Sequence, residues 1–129
     1  MIILTKEDAL ATAQVMVDKK AQAVVLLEIS SVVAYADYFV ICSGRSVTQV
    51  KAIAAAIEKY FLPRGIRPLH VEGYAEGRWT LLDYDDVIVH VFLEEARNFY
   101  DLERLWRDVP RTDFEEYTPP GVALPRHDD

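Results

Sequence analysis

Residues 79–93, WTLLDYDDVIVHVFL, bring together the side chains best able to do chemistry: the indole of Trp79, the imidazole of His90 and the carboxylates of Asp83, Asp85 and Asp86. Two apolar, β-prone runs flank a tight turn at Tyr84-Asp85, the pattern of a β-hairpin. With those two residues as the loop, Asp83 opposes Asp86, Leu81 opposes Ile88 and Trp79 opposes His90. Strand alternation then puts all six on one face. Thr80, Leu82, Val87 and Val89 line the other face, which suits a core. Like charges directly opposed weaken a sheet, so the paired carboxylates need a use. Metal-assisted catalysis is one, and gripping a basic partner is the other.

The enzymatic option is nucleotidyl transfer, in which a Gly-Ser turn opens a helix and a D-x-D pair on the next strand holds the metal. Gly44-Arg45-Ser46 stands between a strand and a helix, where backbone N–H groups can bind phosphate. It lacks the Walker and dinucleotide glycines, and helix capping by Ser46 accounts for it without a ligand. Asp83-Tyr84-Asp85 has the D-x-D spacing, yet the pair belongs about a dozen residues after the turn, where Ile53 to Ile57 are all apolar. His90 has no second His or Cys at metal-ligand spacing, and His70 and His127 are isolated. Stacking on Trp79 or a hydrogen bond to a carboxylate is the expectation for its ring. Nothing in the spacing of Ser43, His90 and Asp83 supports a triad.

The elements that must position these groups follow from periodicity. Thr5, answered by Asp8, caps a first helix reaching about Lys20. Ala23 to Ile29 and Tyr38 to Cys42 read as buried strands. Ser46 and Gln49 form a capping box for a second helix carrying Val50, Ile53, Ile57 and Phe61. Pro68 to Glu72 is an edge strand, since proline is poorly tolerated in a central one. After the hairpin, a last helix over about 96–108 places Phe99, Leu102, Leu105 and Trp106 on one face. The order α-β-β-α-β-β-β-α predicts a single α/β domain over residues 1–109, a mixed sheet flanked by helices. Residues 110–129, with five acids against two arginines and prolines at 119, 120 and 125, are expected to be a disordered acidic tail.

The 129 residues carry a net charge of −7. Nucleic-acid binders usually show a basic footprint, so DNA is excluded as a partner and a basic protein surface is favoured. No apolar run approaches the ~20 residues of a membrane span and no signal pattern opens the chain. The lone Cys42, inside YFVICSG, reads as a reduced, buried thiol of a cytoplasmic protein.

Several ordered motifs resemble the Iojap family of ribosomal silencing factors, RsfS in bacteria. They are Ala36-Asp37-Tyr38-Phe39-Val40-Ile41-Cys42-Ser43-Gly44 with Ser46 and Gln49, then Glu72-Gly73, Trp79, Asp83-Tyr84, Asp86-Val87, His90-Val91-Phe92, Arg97 and Tyr100-Asp101-Leu102-Glu103-Arg104-Leu105-Trp106. The resemblance runs from about Ala9 to Asp108. It implies a non-enzymatic fold related to nucleotidyltransferases, without catalytic residues, cofactor or metal. It also implies binding to large-subunit ribosomal protein fourteen, which blocks docking of the small subunit and represses translation when nutrients are short. The alternative is a residual nucleotidyltransferase using the carboxylates of 83–86. Asp85 departs from the family, which is expected to favour Gly in the turn. Residues and resemblance converge on the hairpin as the contact. Trp79 and Leu81 serve as the anchor, Asp83 and Asp86 as acceptors for Lys or Arg, and Tyr84, Arg78 and His90 complete the set. The oligomeric state is left open, with room for a homodimer.

Overall fold

A computed structural model describes residues 3–114. The elements run α1 (Lys6–Asp18), β1 (Gln22–Glu28), β2 (Tyr38–Gly44), α2 (Val47–Phe61), β3 (His70–Glu72), β4 (Trp79–Asp83), β5 (Val87–Leu93), α3 (Glu94–Tyr100), α4 (Leu102–Leu105) and β6 (Arg111–Asp113). The strands form one mixed sheet in the order β3-β4-β5-β2-β1-β6. Among the described strands β2 and β5 alone pair in parallel, with α2 in the crossover between them, and the remaining pairs are antiparallel. The expected mixed sheet flanked by helices is present, with β3 at its edge.

Both central helices are started by side chains named from sequence. The Thr5 N–H donates to Asp8 Oδ2 at 2.8 Å, and Asp8 also holds Arg64 at 2.7 Å. Ser46 Oγ accepts from the Gln49 N–H at 3.1 Å, while Gln49 Oε1 reaches back to the Arg45 N–H at 2.7 Å. These bonds satisfy N–H groups that a helix start leaves unpaired. The two helices cover one sheet face, where Met16, Val50, Ile53, Ile57 and Phe61 pack on Leu26, Val40, Leu82, Val89 and Val91. Cys42 is buried there, and desolvation pushes its thiol up to about 12, so it is packing rather than chemistry.

The opposite face has a thinner cover. Val25, Leu27, Phe39, Ile41 and Phe92 are roofed by Ala96, Leu102, Trp106 and Val109. This roof departs from expectation in two ways. The single helix over 96–108 is broken at Asp101, which adopts φ 45°, ψ 49° in the left-handed region. Leu102 and Trp106 then pack inward, while Phe99 and Leu105 stay 77% and 74% exposed. A straight helix would keep one continuous stripe, whereas the break rotates its second half. The sheet also runs past residue 109, where the domain is expected to end. Arg111–Asp113 extends the sheet by pairing with β1, and the Phe114 N–H donates to the Val24 carbonyl at 2.9 Å. Three residues give too short a run to register as period-2 alternation. Residues 115–129 of the expected tail lie outside the described residues.

A chain ending at Pro110 is therefore expected to lose several degrees of melting temperature relative to one ending at Phe114, because it drops a strand and a core contact. Equal thermal melts for the two truncations would contradict the pairing.

Candidate functional site

The hairpin forms, but one residue further along the chain than its composition suggests. Tyr84 pairs with Val87 through its N–H at 2.9 Å, leaving Asp85-Asp86 as the loop. The register becomes Trp79 opposite Phe92, Leu81 opposite His90 and Asp83 opposite Ile88. The expected pairs Asp83–Asp86, Leu81–Ile88 and Trp79–His90 are corrected accordingly. Moving the turn by one residue slides each partner by two, so every side chain keeps its face while changing its neighbour. No pair of carboxylates faces off across the strands.

Two of the three turn carboxylates have a structural task instead. Asp83 Oδ1 accepts from the Asp85 N–H at 2.8 Å. The Asp86 N–H reaches the Tyr84 carbonyl at 3.1 Å across Asp85, whose φ is +75°. This is γ-turn geometry, and only one of the two loop residues has positive φ, which excludes a type I′ turn. Asp86 Oδ2 accepts from the Leu4 N–H at 3.1 Å, and its carbonyl takes the N–H groups of Asp37 and Tyr38. Asp86 thus staples the turn to the start of α1 and of β2 rather than serving as an outward acceptor. Tyr84 is likewise moved from the expected contact rim to the core. It is 5% exposed, lies 4.9 Å from the Phe61 ring, and burial raises its hydroxyl above the usual tyrosine range.

Trp79, Leu81 and Asp83 do share one face and are each half-buried, while Arg78 is exposed just before β4. Trp79 stacks on Phe92 at 4.9 Å, and its Nε1–H donates to His90 Nδ1 at 3.1 Å. That bond assigns the His90 proton to Nε2. His90 is 3% exposed, wedged edge-on against Phe39 at 4.7 Å, and desolvation lowers it to about 3. It is a neutral, buried ring that supports the indole. Ser43 Oγ accepts from Arg97 at 3.0 Å, so Ser43, His90 and Asp83 each have other partners. The close approach of the 73–77 loop to β4 requires a glycine, since a Cβ on Gly73, at φ +74°, would lie 2.0 Å from the Trp79 carbonyl oxygen.

Two residues outside the hairpin complete the surface. Tyr100, at the end of α3, tilts onto Trp79 at 4.8 Å, and the exposed Phe99 stands edge-on to Tyr100 at 5.2 Å. A helical reading of 96–108 assigns Phe99 to the core, whereas the structure leaves its ring in water on α3, before the break at Asp101. The result is a row Phe99–Tyr100–Trp79 beside Leu81, where the roof on this sheet face stops. Across the strands Glu72 lies opposite Leu81 and His70 opposite Asp83, with His70 and Glu72 3.5 Å apart and exposed. An aromatic strip with a polar rim is a composition found in protein-binding surfaces. Among the described residues no group of three or more His, Cys, Asp or Glu is arranged to hold a metal, and no helix is long and apolar enough to cross a membrane.

Two outcomes are expected. Asp85→Gly should raise unfolding stability by about 1 kcal/mol, because glycine adopts positive φ without the Cβ penalty; a neutral or lower value would dispute the turn geometry. His90 also makes stability depend on pH. Its folded value is lowered to about 3, so in mildly acid solution the unfolded chain binds a proton that the folded chain refuses. Its contribution is fully present above the unfolded value of about 6.5 and falls by about 1.4 kcal/mol per pH unit as pH drops towards the folded value. Denaturation of His90→Gln and the parent from pH 7 to pH 4 should show the steeper loss in the parent. Parallel curves would mean that His90 is not held neutral.

Comparison with known proteins bears on what this surface serves. A ribosomal silencing factor of Halalkalibacterium halodurans is 45% identical over 98 residues, covering 76% of this chain and 84% of that protein. A mouse protein named for mitochondrial assembly of the ribosomal large subunit is 29% identical over 91 residues, covering 68% of this chain and 40% of its own length. A crystal structure of a protein from Chromobacterium violaceum superposes with a TM-score of 0.77 at 30% identity, covering 81% of this chain and 88% of that one. The family described as ribosomal silencing factor during starvation, RsfS, matches residues 4–128. With the fold and the ordered motifs in agreement, the chain belongs to the RsfS family of ribosomal silencing factors, which are regulators and not enzymes.

Proposed function

We propose that the chain docks on the large ribosomal subunit through the Phe99–Tyr100–Trp79–Leu81 surface, with ribosomal protein fourteen of that subunit as its contact. Occupying that site blocks joining of the small subunit and represses translation in the cytoplasm when nutrients are limited. The observation that carries the reading is the aromatic row left uncovered where the roof of the sheet ends. An exposed Phe99 and half-exposed Trp79 give a surface that loses water on docking, which is how interface hot spots gain most of their energy. Glu72 and Asp83 beside them suit Lys and Arg of a basic ribosomal protein, and the net charge of −7 favours such an encounter at long range. The name of the mouse relative, which refers to large-subunit assembly, supports the choice of subunit.

The fold is read as related to nucleotidyltransferases with the chemistry gone. Gly44–Ser46 opens α2 as a Gly-Ser turn would, but Ser46 is engaged in capping and Asp83 in the hairpin turn.

The test is sedimentation with isolated subunits. The chain should travel with free large subunits and lower the yield of joined ribosomes. Phe99→Ala should weaken binding by about 1–2 kcal/mol with little change in melting temperature, since the ring is 77% exposed. Trp79→Ala should weaken it by about 2 kcal/mol or more and also destabilise the fold, because the indole supports Phe92 and His90. Binding to small subunits alone, or full affinity in both variants, would refute the reading.

A further inference from the structure

We infer that Arg97 and Glu103 are positioning residues of the docking surface, holding Tyr100 against Trp79 by fixing where α3 ends. This inference rests on the docking role proposed above and names what sets that surface. Arg97 lies on α3 one turn before Tyr100, and the residue is 8% exposed. Its Nη1 donates to the Ala23 carbonyl at 2.5 Å and to Ser43 Oγ at 3.0 Å, and its Nε donates to Glu103 Oε1 at 2.8 Å. Ala23 sits at φ 50° in the irregular stretch of β1 between Gln22 and Val25, so its carbonyl is turned out of the strand ladder and toward the guanidinium. Glu103 Oε2 also accepts from Arg111 at 3.1 Å, which joins β6 to the same cluster.

The geometry works as a clamp on the chain reversal at Asp101. The Asp101 N–H donates to the Arg97 carbonyl at 2.9 Å, and the Arg104 N–H donates to the Asp101 carbonyl at 3.1 Å. The left-handed Asp101 lets residue 103 return to residue 97, which a continuing helix would carry away. Glu103 and Arg97 therefore hold the break closed from opposite sides. Tyr100 is the last helical residue before it, and its ring direction onto Trp79 depends on where α3 ends. A buried guanidinium with a carboxylate and two oxygen acceptors is a rigid anchor, because every departure strands a charge in a poorly solvated place.

The experiment is a double-mutant cycle of Glu103→Gln with Tyr100→Ala, reading large-subunit affinity and melting temperature on the same samples. Glu103→Gln should lower affinity about fivefold with Tyr100 present and have almost no effect in the Tyr100→Ala background, while its melting loss is the same in both. Arg97→Lys, which keeps charge but not the planar fork, should reproduce the affinity loss. A second readout needs no ribosome. In a Trp106→Phe background the remaining emission belongs to Trp79, and Glu103→Gln should shift it to the red only when Tyr100 is present. If the parent binds no large subunits, the docking role fails, and the emission cycle alone decides the clamp. Equal losses of affinity in both backgrounds, or an emission shift independent of Tyr100, would show that Glu103 only stabilises the fold and overturn the inference.

Discussion

The burial of one guanidinium constrains much of this structure. Arg97 is taken out of water on the sparsely covered side of the sheet, and a charge in that position must find oxygen acceptors. It finds them on three separate pieces of chain: the β1 carbonyl of Ala23, the β2 hydroxyl of Ser43 and the Glu103 carboxylate. Burial by itself would raise Glu103, but the hydrogen bonds and charges of Arg97 and Arg111 outweigh it and hold this carboxyl below the usual range. With the carboxylate ionised, the polypeptide after α3 has to fold back over Phe39 and Ile41. The roof of the second face and the point where it stops both follow from that return.

Where the roof stops, the sheet surface is neither core nor ordinary exterior. Trp79 is held by three rings: Phe92 opposite it across the strands, His90 on the same face and Tyr100 from α3. His90 does this as a neutral ring whose acceptor nitrogen faces the indole N–H, a role that needs a low pKa and thus deep burial. These contacts hold the Trp79 indole in one place, which would reduce the ordering cost of the proposed docking. The α1–α2 side is, by contrast, filled by aliphatic side chains meeting a sheet face that carries almost no polar group. One face thus builds the main core, and the other carries the surface proposed for docking.

The turn at Asp85 shows how a carboxylate cluster can arise without catalysis. Three acids stand within four residues, yet one bonds the next residue but one, one staples two distant elements, and one projects into solvent. Their proximity reflects the demand of a tight turn for side chains that accept backbone N–H groups and tolerate positive φ.

Much of the architecture is local in origin and was legible in the residues alone. The caps at Thr5 and Ser46, the aliphatic strands, the edge strand after Pro68 and the hairpin all follow from short-range spacing, as does the sharing of one face by Trp79, Leu81 and Asp83. Four features were not legible, and each depends on contacts with distant segments, including the Ala23 and Ser43 acceptors that hold Arg97 beside the break at Asp101. The turn settled on Asp85-Asp86 because Asp86 bonds Leu4 and β2, which no local propensity reports. Tyr84 went inward because Phe61 of α2 lies over it. The break at Asp101 carries neither glycine nor proline, and the buried Arg97–Glu103 pair enforces it. The three-residue β6 exists because the edge of β1 is unpaired without it. Local periodicity fixes which face a side chain takes, whereas packing against distant segments decides which neighbour it meets and whether it remains in water.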